Sequence, residues 1–246
     1  MSDLFSNQSE HYKAYRPTYP DELYDFLFQH TPHFERALDC GTGNGQVAVK
    51  LAEKFKEVVA VDFSKEQINH AFEHDRITYK VADASESGLD SESVDLITAA
   101  QALHWFNTDK FYREVDRVLK PNGFLACWGY GLCTINDHID PLILSFYDDV
   151  IGPFWPRQRM HIEQEYNSLR FPYPLITSPD LQIKKSWNLN QLLGYLRSWS
   201  STQRYIQYKG YDPVKTLAVR LKRYWGDTEE PKNIYWPVFI KAGKKQ

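Results

Sequence analysis

The sequence has little that would direct the chain to a membrane or to a nucleic acid. Its 246 residues carry a formal net charge of −3 at pH 7, and basic and acidic residues are intermixed. This balance argues against a large nucleic-acid interface, which needs a surplus of Lys and Arg. No apolar run approaches the ~20 residues of a membrane-spanning helix. The densest basic cluster, at Arg220, Lys222 and Arg223, is typical of the solvated face of a helix.

Cysteine is also scarce. Cys40, Cys127 and Cys133 are an odd number, and their spacing is not that of a metal site. They predict neither a disulfide framework nor a bound metal, and they indicate a reducing compartment. Residues 1–10 are polar, unlike a secretory signal peptide. We therefore expect a soluble, cytoplasmic protein, and the sequence gives no indication of its oligomeric state.

What the sequence does contain is one glycine-rich segment with a distinctive spacing. Asp39 is followed by glycines at positions 41, 43 and 45, and apolar residues at helical spacing come next. Glycine lets a backbone approach a ligand closely. A following helix points unpaired N–H groups into the same crevice. The segment predicts a loop that binds a nucleoside-containing ligand, although ordinary turns also use glycine.

The spacing of the glycines discriminates between nucleoside ligands. The dinucleotide-binding fingerprint G-x-G-x-x-G would have its third glycine at Gln46. A nicotinamide-dependent oxidoreductase is therefore disfavoured. The observed D-x-G-x-G-x-G pattern, Asp39 to Gly45, resembles motif I of class I S-adenosylmethionine-dependent methyltransferases.

Later segments continue an alternation of strands and helices. An apolar run over residues 58–62 ends at Asp62, 21 residues after Gly41 and near the ~20 expected for an acid that binds ribose hydroxyls. Residues 77–84 predict a third strand that ends around Asp83, and residues 93–100 and 119–128 predict two more. Taken alone, each acid is also typical of a turn or a helix cap. Together they predict a parallel sheet whose ligands bind beyond the carboxyl ends of its strands.

The resemblance implies the rest of the fold. It implies a doubly wound, mostly parallel seven-stranded α/β sheet, a Rossmann-like methyltransferase fold, with the last strand antiparallel. We expect one domain in four parts: an N-terminal helical cap over 1–35, a cofactor-binding core over 36–130, a Pro-rich and aromatic substrate cover over 131–180, and C-terminal strands and helices over 181–246. The last strand is expected near residues 234–240, where Pro237 favours an edge position or a bulge.

The same resemblance implies a cofactor site for S-adenosylmethionine, with S-adenosylhomocysteine as product. Asp62 would bind the ribose, Asp83 would face the exocyclic amine of adenine, and Phe63 or Ala84 would flank the ring. The candidate cofactor-binding residues in the described motifs are Asp39, Gly41, Thr42, Gly43, Gly45, Gln46, Asp62, Phe63, Asp83, Ala84 and Gln101.

Two short elements resemble a narrower subgroup, the type 11 methyltransferases related to trans-aconitate methyltransferase. One is Ala102–Phe106 after the fourth strand, and the other is the Tyr-x-x-x-Arg-Pro-x-Tyr-Pro element that spans residues 12–20. By this resemblance Tyr12 and Arg16 would close over the cofactor, with Arg16 on its methionine carboxylate. A packing tyrosine and a surface arginine are the alternative.

Candidate substrate residues lie in two places. His104 would orient an acceptor or remove its proton, because imidazole titrates near neutral pH, and a structural histidine is the alternative. Trp105 would pack or face the sulfonium. In the cover, Trp155 and Arg157, with Arg159 nearby, would bind an acidic substrate, although exposed cations are the alternative.

The predicted activity is methyl transfer from S-adenosylmethionine to a small-molecule acceptor by in-line displacement, with a carboxylic acid as one candidate. A carboxylate needs no base, whereas a hydroxyl or an amine needs a proton sink such as His104. Methylation of RNA, lipid or protein, and a non-catalytic S-adenosylmethionine-binding subunit of a partner, are the alternatives that the sequence leaves open.

Overall fold

Strands and helices alternate along the chain, as the apolar pattern predicts. The structure is a computed structural model and describes residues 17–246. The strands are β1 (Arg36–Cys40), β2 (Glu57–Asp62), β3 (Ile77–Val81), β4 (Val94–Ala100), β5 (Leu119–Tyr130), β6 (Leu181–Trp187) and β7 (Lys232–Lys244). They form one sheet in the order β3-β2-β1-β4-β5-β7-β6.

The sheet contains both parallel and antiparallel strand pairs, as the resemblance implies. β1 pairs in parallel with β2 and with β4, β2 with β3, and β4 with β5. β7 pairs antiparallel with β5, from Phe124 opposite Lys244 to Tyr130 opposite Val238. The predicted seven-stranded, doubly wound sheet with an antiparallel last strand is confirmed. The carboxyl ends of β1 to β5 consequently lie at one edge of the sheet.

The helices lie in the connections. They are α1 (Asp21–His30), α2 (Gln46–Ala52), α3 (Lys65–Asn69), α4 (Thr108–Val118), α5 (Asp140–Ser145), α6 (Met160–Glu163), α7 (Leu189–Arg197), α8 (Ser200–Lys209) and α9 (Val214–Trp225). Single 3-10 turns occur at Leu103–Trp105, Gly152–Phe154 and Arg157–Arg159, and a π-helical turn at Phe146–Val150. Of the helices in residues 17–246, none has both the length and the apolar character that a membrane crossing requires.

Side chains of the central strands enter two separate hydrophobic clusters. In β5, Phe124 and Trp128 join a cluster with residues of α1 and α2. Leu125 and Cys127, at the alternate positions, join a second cluster with residues of α4. Because successive strand residues point to opposite faces, both faces of the sheet are covered. This is why the central strands are continuous apolar runs in the sequence.

Two groups of segments are each compact. The core unit contains Tyr19–Gly131, Met160–Leu181 and Val238–Gln246, and therefore β1 to β5 and the end of β7. The helical unit contains Leu132–Arg159 and Gln182–Pro237, together with Pro17 and Thr18, and therefore α5 and α7 to α9. The four-part division of one domain stays a prediction.

Two local expectations differ from the structure. The Pro/Gly turn expected before the fifth strand is a bulge inside β5: Asn122 has a φ of 64°, and the pairing with β4 shifts between Val94 and Leu96. The prediction that the strand containing Pro237 lies at an edge of the sheet is wrong, since β7 lies between β5 and β6. Pro237 directly precedes Val238, the first residue paired with β5, so its missing N–H is not needed in that ladder.

Candidate functional site

The turn after β1 is fixed against β2 by backbone hydrogen bonds. The amides of Gly41 and Thr42 both donate to the carbonyl of Val61, at 2.8 and 3.0 Å. Gly41, Gly43 and Gly45 have φ angles of 68°, 55° and 87°, in the left-handed region that favours glycine. α2 begins at the next residue, Gln46. The glycines thus make one fixed turn at the carboxyl edge of the sheet.

The first two glycines serve different purposes. A Cβ on Gly41 would lie 2.6 Å from the Cβ of Ala102, so glycine is required for the close approach of the segment after β4. Among the described residues, a Cβ on Gly43 would have one heavy atom within 4 Å, the Gln67 Oε1 at 3.8 Å. The described part of the chain therefore leaves room for a ligand at the Gly43 backbone.

Asp39 is buried, with 1% of its surface exposed. Its carboxylate accepts hydrogen bonds from the Thr42 hydroxyl at 2.6 Å and the Thr98 hydroxyl at 2.7 Å. Burial raises the pKa of Asp39 to about 6, and the bonds from the two threonines oppose that rise. Asp39 therefore connects the glycine turn to β4, and its direct contact with a cofactor stays a prediction.

Asp62, at the end of β2, is half-buried. Its Oδ2 accepts from the amide of Gly43 and its Oδ1 from the amide of Ser64, both at 2.9 Å. A carboxylate oxygen can accept more than one hydrogen bond, so these two bonds are compatible with the predicted binding of ribose hydroxyls. Asp62 thus holds the loop at Gly43 in addition to its predicted role as ribose acceptor.

The residues predicted to surround adenine follow β2 and β3. Phe63 is 51% exposed, which is unusual for an aromatic side chain of this size. Asp83 is exposed, two residues beyond the end of β3, and its Oδ1 accepts from the amide and hydroxyl of Ser85. Ala84 is buried. An exposed aromatic face and an exposed carboxylate are therefore available at this edge of the sheet.

The loop after Asp83 is anchored by a buried carboxylate that the sequence did not indicate. Glu114, on α4, accepts from the amide of Ser87 at 3.0 Å and from its hydroxyl at 2.6 Å. Arg117 donates to both oxygens of Glu114, at 2.8 Å each. Burial alone would raise the pKa of Glu114, but the bonds from Arg117 and Ser87 outweigh it and lower the pKa. The loop after Asp83 is consequently held in place from α4.

The segment after β4 leaves the sheet through a constrained residue. Gln101 has a φ of 52°, its amide donates to the Trp128 carbonyl at 2.8 Å, and its Nε2 donates to the Tyr130 carbonyl at 3.2 Å. A left-handed conformation costs a non-glycine residue about 1–3 kcal/mol, and the two bonds to β5 offset that cost. The Gln101 amide side chain is therefore directed to β5, and its predicted cofactor contact stays a prediction.

His104 lies in the 3-10 turn that follows. It is 8% exposed, and its Nδ1 lies 3.2 Å from the hydroxyl of Tyr166. The ring of Trp105 is 4.9 Å from the imidazole, and Trp105 is half-buried. The proposed catalytic histidine is thus an ordered, hydrogen-bonded group in the core unit, near the close contact of Gly41 with Ala102.

The cover residues predicted to bind substrate lie in the helical unit. Trp155 donates from Nε1 to the Tyr147 carbonyl at 3.3 Å, and Arg157 is exposed. Arg159 is the more constrained cation: its guanidinium lies 4.8 Å from the Trp155 ring centroid and its Nε donates to the Tyr147 hydroxyl at 2.8 Å. Substrate binding by Trp155 and Arg157 stays a prediction.

The core unit brings most of the predicted cofactor residues to one edge of the sheet. Those residues are Asp39, Gly41, Thr42, Gly43, Gly45, Gln46, Asp62, Phe63, Asp83, Ala84 and Gln101. Tyr12 and Arg16 lie outside the described residues. Tyr166 and Glu114 were missed, because both act over more than 25 residues of sequence separation, which no local pattern reveals.

This edge fits the S-adenosylmethionine that the resemblance implies. The described residues leave room for a ligand close to the Gly43 backbone, and the Asp62 carboxylate is an acceptor group of the kind that binds ribose hydroxyls. The exposed ring of Phe63 offers an apolar face to a purine. The donor and acceptor types present therefore match an adenosine.

The chain is similar to known proteins over the region that carries this site. The family described as "Methyltransferase domain" matches residues 38–127, which run from β1 to β5. A Dictyostelium discoideum protein named as a methyltransferase is 34% identical over 253 residues, covering 100% of this chain and 96% of its own. CRG1 of Saccharomyces cerevisiae, named as an S-adenosylmethionine-dependent methyltransferase, is 30% identical over 132 residues, and the match covers 45% of that protein.

A solved structure gives the same result over nearly the whole chain. A type II methyltransferase from Anaeromyxobacter dehalogenans is 40% identical and superposes with a TM-score of 0.88. The superposition covers 94% of this chain and 98% of the other. Its extent includes both the core unit and the helical unit.

Proposed function

This chain belongs to the class I S-adenosylmethionine-dependent methyltransferases, and we propose that it transfers the methyl group to a small-molecule acceptor. The family, the enzyme class and the cofactor follow from the comparisons. The acceptor and the residues that act on it are the proposal. The cofactor site on which this proposal rests is supported by the bond between Asp62 and the Gly43 amide, which joins the predicted ribose acceptor to the glycine turn.

S-adenosylmethionine, when bound, supplies an electrophilic methyl group on a sulfonium. The chain has to bind it, align an acceptor with it and exclude water. Asp62 would hold the ribose as well as the Gly43 backbone, while Phe63 and Asp83 would hold the adenine. His104 meets the acceptor: it takes the proton of a hydroxyl or amine, or it donates a hydrogen bond to an acceptor that is already anionic.

The charge of the chain favours a small molecule over RNA as the acceptor. The net charge is −3 and basic residues are intermixed with acids, whereas an RNA-binding surface needs a surplus of Lys and Arg. A carboxylic acid is the first class to test, because Arg157 and Arg159 provide guanidinium groups close together in the chain. The finer assignment to the trans-aconitate-like subgroup is part of this proposal, supported by Ala102–Phe106 and by the element over residues 12–20.

We also propose a cytoplasmic location. Cys40, Cys127 and Cys133 are all buried free thiols. Proteins of oxidising compartments more often pair such residues. Fractionation of the protein with cytosolic marker enzymes tests this location.

The acceptor is tested by transfer of labelled methyl from S-adenosylmethionine into a cell extract that is then separated into metabolites, lipids, RNA and protein. We expect label in the metabolite fraction, and lability to base would identify a carboxylate ester. Label in RNA, lipid or protein instead would contradict the small-molecule proposal. No label in any fraction, with S-adenosylhomocysteine still bound, would favour the non-catalytic alternative.

A further inference from the structure

The geometry points to Tyr166 as a positioning residue for His104, through the bond between the Tyr166 hydroxyl and Nδ1 of the imidazole. Tyr166 follows α6 and is 62 residues after His104 in the chain. The inference rests on the proposed function of His104 and adds the residue that orients its ring.

The contact itself is the first argument. The Tyr166 hydroxyl lies 3.2 Å from Nδ1, the two ring centroids are 6.1 Å apart, and both side chains are buried. A hydroxyl can accept from a protonated Nδ1 or donate to an unprotonated one, so the bond is compatible with either charge state of His104. It fixes the rotation of the ring and with it the direction of Nε2, the atom that we assign to the acceptor.

Packing alone does not call for the hydroxyl. Tyr166 is fully buried, and its ring stands edge-on to Phe239 with centroids 5.1 Å apart, in the cluster that contains Ile162 and Phe111. Phenylalanine would fill nearly the same space. A buried hydroxyl costs free energy unless it is hydrogen-bonded, and the contact with His104 supplies such a bond.

Both chain segments that carry the pair are held in costly conformations. Glu165 and Tyr166 have φ angles of 51° and 59°, and Gln101, which opens the segment of His104, has a φ of 52°. The amide of Tyr166 donates to the carbonyl of His161 at 2.7 Å. Left-handed non-glycine residues persist where surrounding contacts fix them, and they concentrate at functional sites. The backbone strain therefore lies in the two segments that bring Tyr166 and His104 into contact.

The test compares Tyr166→Phe with Tyr112→Phe. Tyr112, on α4, packs against the same hydrophobic cluster. Within the described part of the chain its buried hydroxyl has no hydrogen-bond partner. The two variants therefore remove the same atom from the same cluster, and Tyr166→Phe alone of the two also removes the hydrogen bond to His104.

Activity is measured as initial rates of labelled-methyl transfer over a dilution series of the small-molecule fraction of a cell extract. We expect Tyr166→Phe to lower the maximal rate at least tenfold. The half-saturating extract concentration and the affinity for S-adenosylhomocysteine should stay within twofold of wild type, and Tyr112→Phe should match wild type throughout. A wild-type maximal rate in Tyr166→Phe, or equal losses in both variants, overturns the inference.

A second measurement needs no acceptor. The ¹⁵N resonance of His104 Nδ1, assigned with a His104→Asn variant, should shift in Tyr166→Phe and stay unchanged in Tyr112→Phe. An unshifted resonance in Tyr166→Phe overturns the inference. Failure of the wild-type protein to transfer methyl to any extract fraction counts against the proposed function instead, and the resonance still decides the role of Tyr166.

If Tyr166→Phe does not fold, His104→Asn and His104→Gln replace it. The amide of Asn lies near the position of Nδ1, and that of Gln near the position of Nε2. We expect His104→Asn to have the higher melting temperature, because it keeps a partner for the Tyr166 hydroxyl. Equal melting temperatures, or the reverse order, overturn the inference.

Discussion

Thr98 of β4 donates a 2.7 Å hydrogen bond to Asp39 of β1, and both residues are buried in the sheet. The two residues are also paired in the β1–β4 ladder. Asp39 accepts a second bond from Thr42 in the glycine turn. A buried acid thus links the central strand pair to the cofactor loop, and its ionisation affects both.

The first prediction concerns Asp39 and pH. Its pKa is raised from 3.8 to about 6 by burial, so between these values the folded state binds a proton more tightly than the unfolded chain. The stabilisation that the folded state gains from protonated Asp39 is fully present below pH ~4, and it is lost as the pH rises through about 6. At about 1.4 kcal/mol per pKa unit, the loss is on the order of 3 kcal/mol. Urea denaturation from pH 4.5 to 7.5 should show the stability of wild type falling relative to Asp39→Asn, and a constant difference would contradict this.

The second prediction concerns Asp62. Asp62→Ala removes the predicted ribose acceptor and releases the amides of Gly43 and Ser64. Hydrogen bonds to a charged group contribute about 1.5–3 kcal/mol each, so we expect S-adenosylhomocysteine to bind at least 100-fold more weakly by isothermal titration calorimetry. Asp75→Ala, which removes an exposed carboxylate before β3, is the matched control and should bind normally. Unchanged affinity in Asp62→Ala would refute the ribose assignment.

The third prediction separates backbone strain from steric overlap at Gly41. Gly41→Ala places a Cβ 2.6 Å from that of Ala102 at a φ of 68°. Gly210→Ala has a φ of 79°, and its Cβ would have no heavy atom of residues 17–246 within 4 Å. We expect Gly210→Ala to cost about 1 kcal/mol of unfolding free energy, from strain alone, and Gly41→Ala to cost clearly more and to weaken cofactor binding.

A double variant tests the cause of that difference. Adding Ala102→Gly to Gly41→Ala removes the overlapping methyl and leaves the strain at Gly41. The double variant should therefore recover most of the lost cofactor affinity. No recovery would show that the overlap with Ala102 does not limit the turn.

The fourth prediction concerns His104. His104→Ala should lower turnover by about 10² or more, the usual contribution of a general acid–base group, with affinity for S-adenosylhomocysteine unchanged. His33→Ala, which removes an exposed imidazole before β1, is the control and should turn over normally. Wild-type turnover in His104→Ala would show that the histidine has a structural role alone.

The sheet and the glycine turn could be predicted because local sequence determines them. Strands covered on both faces become continuous apolar runs, and the turn after β1 needs left-handed φ angles at Gly41, Gly43 and Gly45. The bulge at Asn122 could not be distinguished from a turn, because Pro and Gly occur in both.

The environment of the site was less predictable. The sequence does not show that Asp39 is buried while Asp83 is exposed, since both are acids at the ends of strands. Nor does it show that Tyr166 meets His104. Tyr166 lies in the Pro-rich and aromatic part of the sequence after β5, whose contacts depend on how it packs in three dimensions.

The pairing of β5 with β7 has a consequence for how the chain is made. The ladder from Phe124 to Tyr130 is completed by Val238–Lys244, more than 100 residues later in the sequence. Until those residues leave the ribosome, β5 presents a long, apolar strand edge, which is a template for pairing with other chains. We therefore expect nascent chains that stop before residue 238 to aggregate or to need chaperones, even though every residue of the cofactor turn has already been synthesised.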